Sequence, residues 1–269
     1  MPLILIPTPI GNLGDITLRA VEELKSADIV ACEDTRHSGL LLQHLGVSVK
    51  TLSYQKFNER QRVDELLGCL EKGQKVALIS DAGTPGMSDP GYVMLKAAID
   101  AGYGVDVLPG ATAFVPAVLL SGLTPHPFSF IGFLSDQKGE RRGALEALKG
   151  HPYTMVFYLS PHKAAKHLED FLDVLGDRKA ALVREISKVY QEARRGTLST
   201  ILASLEEGVK GELALVVEGG VTEAPSDDVW QAKAQELLDQ GQPTKLVAEQ
   251  IAAEFRQPKN KVKAWILRR

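Results

Sequence analysis

The sequence predicts an α/β protein of two consecutive αβα domains, residues 1–113 and 114–224, followed by a small helical module, 225–269. Three observations carry that reading. Short apolar, often β-branched runs alternate with longer segments whose apolar residues recur every three or four positions, the pattern of strand–helix units. Several runs end in loops rich in Gly, Pro, Thr and acids. From Gly241 onward the charge changes sign: Lys245, Arg256, Lys259, Lys261, Lys263, Arg268 and Arg269 face only Glu249 and Glu254, in a chain whose net charge is -3.

In order, the first series of strands is Leu3–Ile6, Ile29–Cys32, Val76–Ser80 and Val105–Leu108. Between them "TLRAVEELKSA" puts Leu18, Val21 and Leu24 on one helical face behind Thr17 as N-cap, and "YVMLKAAIDAG" ends on Gly102 as C-cap. The connection near "PGATAFVPAVLLSGLTP" leads to a second series, "FSFIGFL", "YTMVFYLS", "AALVREIS" and "ELALVVEGG". Within it "HKAAKHLEDFLDVLG" carries a stripe of Leu168, Phe171, Leu172 and Leu175. After Pro225, "TKLVAEQIAAEFRQPKNKVKAWILRR" reads as two short helices broken around Gln257 and Pro258.

Composition narrows the class. Cys32 and Cys69 are too few for a disulfide framework and read as small core residues in a reducing compartment. "MPLILIPTPIG" has an apolar run of four residues, no basic leader region and two early prolines, so it reads as neither signal peptide nor membrane span, and a cytoplasmic protein is expected.

In open α/β sheets ligands collect beyond the carboxyl ends of the strands. There the first series offers "TPIGNLGD", "EDTR", "SDAGTPGMSDPG" and "PGATA". One such loop is an ordinary turn; four at corresponding strand ends predict one shared pocket. No G-x-x-x-x-G-K-[ST] is present, and "GYGVDV" at Gly102 stands before a strand instead of after one, which argues against nucleoside triphosphates and NAD. The six histidines are scattered, so no metal is expected, and no G-x-S-x-G elbow supports a serine nucleophile. A ligand held by backbone groups and short side chains beside carboxylates remains, which is the chemistry S-adenosylmethionine asks for. Methyl transfer from it is mostly positioning, with one base to take a proton.

"IPTPIGNLGDITLRA", "EDTR", "SDAGTPGMSDPG", "PGATA", "FYLSPHK", "REISK" and "RGTL", in this order and spacing, resemble the ribosomal RNA small subunit methyltransferase I branch of the tetrapyrrole methylases. The match runs from about Leu3 to Gly219, with the basic tail as the extra module of the family. The resemblance implies S-adenosylmethionine in a cleft between two αβα domains, a homodimer, and 2'-O-methylation of a cytidine in small-subunit (16S) ribosomal RNA, free or in the 30S subunit. It also implies cofactor contacts at Pro9, at Asp81, Ala82, Gly83 and Thr84, at Thr112 and Ala113, and at Leu159. A small tetrapyrrole substrate on the same fold is the alternative, against which the basic tail counts. The sequence departs from the resemblance at "SYQKFNE", Ser53–Glu59, where Gln55 and Phe57 replace histidines common in that segment and so remove an imidazole base from it.

A ribose hydroxyl is a weak acid, so transfer to it gains from a carboxylate within hydrogen-bond reach. "EDTR" supplies Glu33, Asp34 and Arg36. Asp34 either caps the next helix or orients and deprotonates the hydroxyl, with Arg36 neutralising the cap or holding a phosphate. Asp89 is the reserve base. Asp81 bonds loop amides around Gly83, serves the cofactor, or does both, and Thr112 either caps the helix through Val115–Leu120 or touches the ligand. Charged loops "DQKGERRG" (Lys138, Arg141, Arg142) and "EARRG" (Arg194, Arg195), with Lys259, Lys261 and Lys263 of the tail, are expected to meet RNA phosphates. Trp265 is expected in a core face in preference to stacking on a base.

Overall fold

The computed structural model describes residues 2–205, 208–220, 227–255 and 257–268. Five strands, β1 (Leu3–Leu5), β2 (Ile29–Cys32), β3 (Lys50–Ser53), β4 (Val76–Ile79) and β5 (Val105–Val107), form an all-parallel sheet in the order β3-β2-β4-β1-β5. Strand side chains alternate between faces, and a parallel sheet covered on both faces needs apolar residues at every position. Leu3, Ala31 and Leu78 accordingly pack on one face with Leu66 and Leu70 of helix α3 (Glu59–Glu71) and Met94 and Ala98 of α4 (Tyr92–Asp100). Ile4, Val30 and Ile79 pack on the other with Leu24 of α1 (Leu18–Ser26) and Leu42 of α2 (Thr35–His44). Thr17 caps α1 as expected, its hydroxyl accepting from the Ala20 N–H at 3.1 Å.

Helix α5 (Phe114–Ser121) packs on a second sheet made of β6 (Phe128–Phe133), β7 (Thr154–Leu159), β8 (Lys179–Arg184), β9 (Glu192–Thr197) and β10 (Leu213–Val217). Its order is β6-β7-β10-β8-β9, parallel only between β6 and β7. On the opposite face, Leu145 of α6 (Lys138–Leu148), Leu168 and Phe171 of α7 (Ala164–Leu175) and Ile201 of α8 (Leu198–Ala203) close the core. Two sheets, each with helices on both faces, thus bear out the expected α/β architecture.

Two segments differ from expectation. "EARRG" is the edge strand β9, not a loop, and "DQKGERRG" opens α6. The edge strands β3 and β9 are polar and only partly covered, so they lack the apolar run that marks a central strand.

The chain divides into two compact units, Met1–Lys149 with Tyr153–Gly219, which holds both sheets, and Gly150–Pro152 with Gly220–Arg269. The second unit contains three helices among its described residues, α9 (Asp227–Asp239), α10 (Thr244–Glu254) and α11 (Lys259–Leu267), one more than the periodicity revealed. Their core is Trp230, Val247, Ile251 and Val262, and Trp265 packs edge-on against Trp230 with centroids 5.4 Å apart, as a core residue should. The expected boundary at Pro225 and the basic residues Arg256 and Arg269 lie outside the described residues. No helix among the described residues is long and apolar enough to cross a membrane.

Candidate active site

The strand order places β2, β4, β1 and β5 side by side, so the loops that follow them emerge as neighbours. The loop after β1 is tied to the loop after β4 by paired backbone bonds between Thr8 and Gly83. Thr8 donates its hydroxyl to the Ser80 carbonyl at 2.9 Å, and Thr84 donates to the Ala111 carbonyl at 3.1 Å. Within "SDAGTPGMSDPG" the chain doubles back, and Gly91, at φ 145, lies where an added Cβ would meet the Gly86 amide nitrogen at 3.0 Å. Only glycine tolerates both that backbone and that approach.

Against these loops stands the second sheet. Because β10 runs antiparallel to β7 and β8, its start lies beside their ends, with Leu213 opposite Leu159 and Arg184. A cleft of about 380 Å³ opens between the two sets of tips. Ala82, Gly83, Thr84, Thr112, Ala113 and Leu159 all line it. Pro9 and Asp81 do not, although Ile10, next to Pro9, does. Asp81 instead accepts from the Asp34 N–H at 3.1 Å, joining the loops after β2 and β4, and so does not bond the amides around Gly83. The acceptors nearer Gly83 serve Ser80, whose hydroxyl bonds the Gly83 carbonyl at 3.1 Å.

The loop after β2 is beside the cleft, not in its wall. Asp34 caps α2, accepting from the Arg36 N–H at 2.8 Å, and is exposed. The Arg36 guanidinium is exposed and makes no ion pair among the described residues. Asp89, the reserve candidate, lies in the cleft wall. Burial pushes its carboxyl up, and the charge of Asp81 adds to this. Burial likewise raises Glu33, helped by the charges of Asp89 and Asp81. Half-buried carboxylates that repel one another favour the protonated form, so each is a stronger base than a solvated one.

Tyr158, Ile186 and Glu212 also line the cleft and were not expected there, while Ile10 lies in the predicted loop "TPIGNLGD". Burial raises the Tyr158 phenol to about 12, with the charges of Asp89 and Glu212 adding to the rise. Thr112 lines the cleft and does not cap α5, whose N-cap is Ala113. Ile186 sits between Glu185 and Ser187, which adopt left-handed backbone at φ 52 and 66. Non-glycine residues hold such angles only under outside constraint, and here Ser187 bonds Asp15 while the Lys188 stem covers Gly11. The signal was present in "REISK", but its meaning lies in contacts to a loop more than 160 residues away.

The basic residues divide. Arg141 is fully buried, its guanidinium bonded to Asp170 and to the Ser135 and Asp136 carbonyls, so it is withdrawn from RNA contact. Arg142 bonds Asp170 and Asp173, and Arg194 bonds Glu192 and the Ser204 carbonyl. Arg195 is exposed and donates to the Leu120 carbonyl at 2.9 Å. In the second unit Lys259 pairs with Glu249 and Lys261 with Asp227 at the surface, where such pairs open readily, and Lys263 is half-exposed.

Residues 2–202 match the family model described as Tetrapyrrole (Corrin/Porphyrin) Methylases. A protein of Micromonospora olivasterospora named ribosomal RNA small subunit methyltransferase I is 44% identical over 96% of this chain and 84% of its own. A Synechocystis protein of the same name is 40% identical over 97% of this chain and 95% of its own. The crystal structure of uroporphyrin-III-C-methyltransferase from Thermus thermophilus shares the fold, with a TM-score of 0.57 at 21% identity over 80% of this chain and 93% of that one. A cleft built from strand-end loops of a parallel sheet and the tips of a mixed one, together with this extent of identity, shows that the chain belongs to the tetrapyrrole methylases, in the ribosomal RNA small subunit methyltransferase I family.

Proposed function

We propose that the chain transfers a methyl group from S-adenosylmethionine to the ribose 2'-hydroxyl of a cytidine in small-subunit ribosomal RNA. The observation that carries this is the convergence of Thr84, Thr112 and Leu159, from two loops of one sheet and a strand tip of the other, on a single cleft of about 380 Å³. That volume lies in the range of small-molecule sites, and its walls combine apolar groups (Ile10, Phe114, Leu213) with the carboxylates of Asp89 and Glu212. The fit to S-adenosylmethionine is good: apolar walls suit an adenine, and acids suit an ammonium and a sulfonium. When bound, that cofactor supplies an electrophilic methyl whose C–S bond breaks as the new C–O bond forms. Asp89 accepts the hydroxyl proton and passes it to solvent. Pro9 and Asp81 support the loops without lining the cleft, and Arg36 is free to take a phosphate.

A ribosomal substrate makes the chain cytoplasmic, and the reading includes a homodimer, which light scattering checks. Incubation with labelled S-adenosylmethionine and small ribosomal subunits should place label on one ribose of the RNA. Label on a porphyrinoid alone, or none on RNA, overturns the proposal. Gly110→Ala tests the cleft itself. A Cβ there would fall 2.7 Å from Pro7 Cβ and 3.0 Å from its Cγ, a rigid ring, so "PGATA" must shift against the loop after β1. Calorimetric titration should show cofactor affinity weakened about tenfold, equivalent to about 1.4 kcal/mol.

A further inference from the structure

Beside the cleft lies a second hollow of about 150 Å³, lined by Lys56, Glu59, Ser88, Asp89, Tyr92 and their neighbours. The two spaces meet at Ser88 and Asp89, which line both. We propose that this hollow seats the acceptor nucleotide, an unpaired unit of RNA whose phosphate meets Lys56, whose base stacks on Tyr92 and whose ribose hydroxyl reaches Asp89. The inference deepens the methyl-transfer reading and rests on it for the role of Asp89.

Three chemical features coincide there. Lys56 is an exposed cation that makes no ion pair among the described residues. Tyr92 is 63% exposed and Phe57, beside Lys56 in the chain, is 84% exposed, so two aromatic rings stand in solvent where a core would claim them. Splayed-out RNA bases are held by stacking on such rings, and their phosphates by lysine or arginine. Asp89 gives the third feature, an acceptor for the hydroxyl on the wall common to both spaces. A cation, a ring and a half-buried carboxylate around one open hollow offer the partners that the phosphate, base and hydroxyl of a ribonucleotide need.

The hollow is also held in shape without a ligand. One Glu59 carboxylate oxygen accepts from the Tyr54 hydroxyl at 2.9 Å and from the Gly91 N–H at 3.1 Å, which engages that acid and fixes the start of α4. The Tyr54 hydroxyl accepts from the Met94 N–H at 3.2 Å. Asn58 accepts from the Gln55 N–H at 2.7 Å, and Gln55 donates through Nε2 to the Glu33 carbonyl at 2.8 Å. The "SYQKFNE" segment is therefore pinned to the end of β2, and Phe57 is left outward. Preorganised walls of this kind lower the ordering cost of binding.

The test measures binding and transfer separately, with small ribosomal subunits and the naked RNA extracted from them as probes. Lys56→Ala and Tyr92→Ala should each weaken subunit binding about tenfold, with the double variant near 100-fold, as expected for losing one phosphate contact and one stacked base. Lys56→Ala should also flatten the salt dependence by about one charge, and Tyr92→Phe should restore binding. Cofactor affinity should stay within about twofold, since neither residue lines the cofactor cleft, and unchanged melting verifies folding. A double variant that binds subunits and RNA as wild type does overturns the subsite and leaves the methyl-transfer reading intact. Wild-type protein that binds neither probe overturns both. Binding that depends on Lys56 and Tyr92 without any methyl transfer supports the subsite and overturns the enzymatic reading.

Discussion

Asp89→Asn should lower methyl transfer to small ribosomal subunits by about 100- to 10,000-fold, the usual range for loss of a proton acceptor. The substitution keeps the size of the side chain and its ability to hydrogen-bond while removing its basicity. Asp89 is preferred over Asp34 on geometry. Asp34 is exposed and occupied as the cap of α2, whereas Asp89 lies in the wall of the cofactor cleft and no hydrogen bond from the described residues engages its carboxylate. The pH profile supplies a second readout. The carboxylate form accepts the proton, so the rate falls as pH drops through the Asp89 value. Burial first, and then the charge of Asp81, raise that value above the ordinary 3.9 or so, and the acid limb should therefore lie on the neutral side of it. Asp89→Asn should abolish this limb. Asp34→Asn is the control: it leaves a residue type that caps helices well and should cost little rate. A wild-type rate in Asp89→Asn with a large loss in Asp34→Asn would move the base to the loop after β2.

The uneven legibility of the site follows from which forces are local. Central strands such as Val76–Ile79 announce themselves because both faces are buried and every residue must be apolar. The loops beyond them are readable because a chain that reverses sharply against another backbone, as Gly86 does against Gly91, leaves no choice of residue. Edge strand β9 hid behind its charges, since Arg194 and Arg195 lie on a half-covered surface and find partners in Glu192 and the Leu120 carbonyl. Tyr158, Ile186 and Glu212 reach the cleft through an antiparallel pairing and a strained turn, neither of which leaves a periodic trace. Arg141 misled for the same reason. A run of Lys, Glu and Arg reads as solvated surface, and only the position of α7 reveals that one of those arginines faces inward.

That inward arginine sets the largest expected loss of stability. Arg141 is fully buried and Asp170 is 2% exposed. Nε and Nη2 of Arg141 donate to the same Asp170 oxygen, Nε at 2.9 Å, while Nη1 donates to the Ser135 and Asp136 carbonyls at 3.0 Å each. Arg142 reaches the other Asp170 oxygen at 3.1 Å. Asp170→Ala would strand a guanidinium without its counterion in a closed core, a change that costs about 3–5 kcal/mol. For a unit of this size that corresponds to a fall of about 10 °C in melting temperature. Arg141→Met combined with Asp170→Leu should cost less than Asp170→Ala alone, because neither partner is then left charged and unmatched. The pH dependence has a definite sign. Burial pulls the Asp170 carboxyl upward, but the bonds from Arg141 and Arg142 outweigh it and hold the folded value below the unfolded one. Its contribution is therefore complete above about pH 4 and is lost as pH falls toward the folded value. His167, on the same helix, precedes it. Burial, then the nearby Arg141 charge, lowers its folded value, so folding loses stability as pH falls below about 6.5 and the unfolded imidazole takes its proton first. Melting temperature measured by circular dichroism at a series of pH values should fall across both windows in wild type. His167→Gln should remove the fall in the upper window, and an Asp170→Ala protein that melts with wild type would refute the buried pair as a keystone of the second sheet.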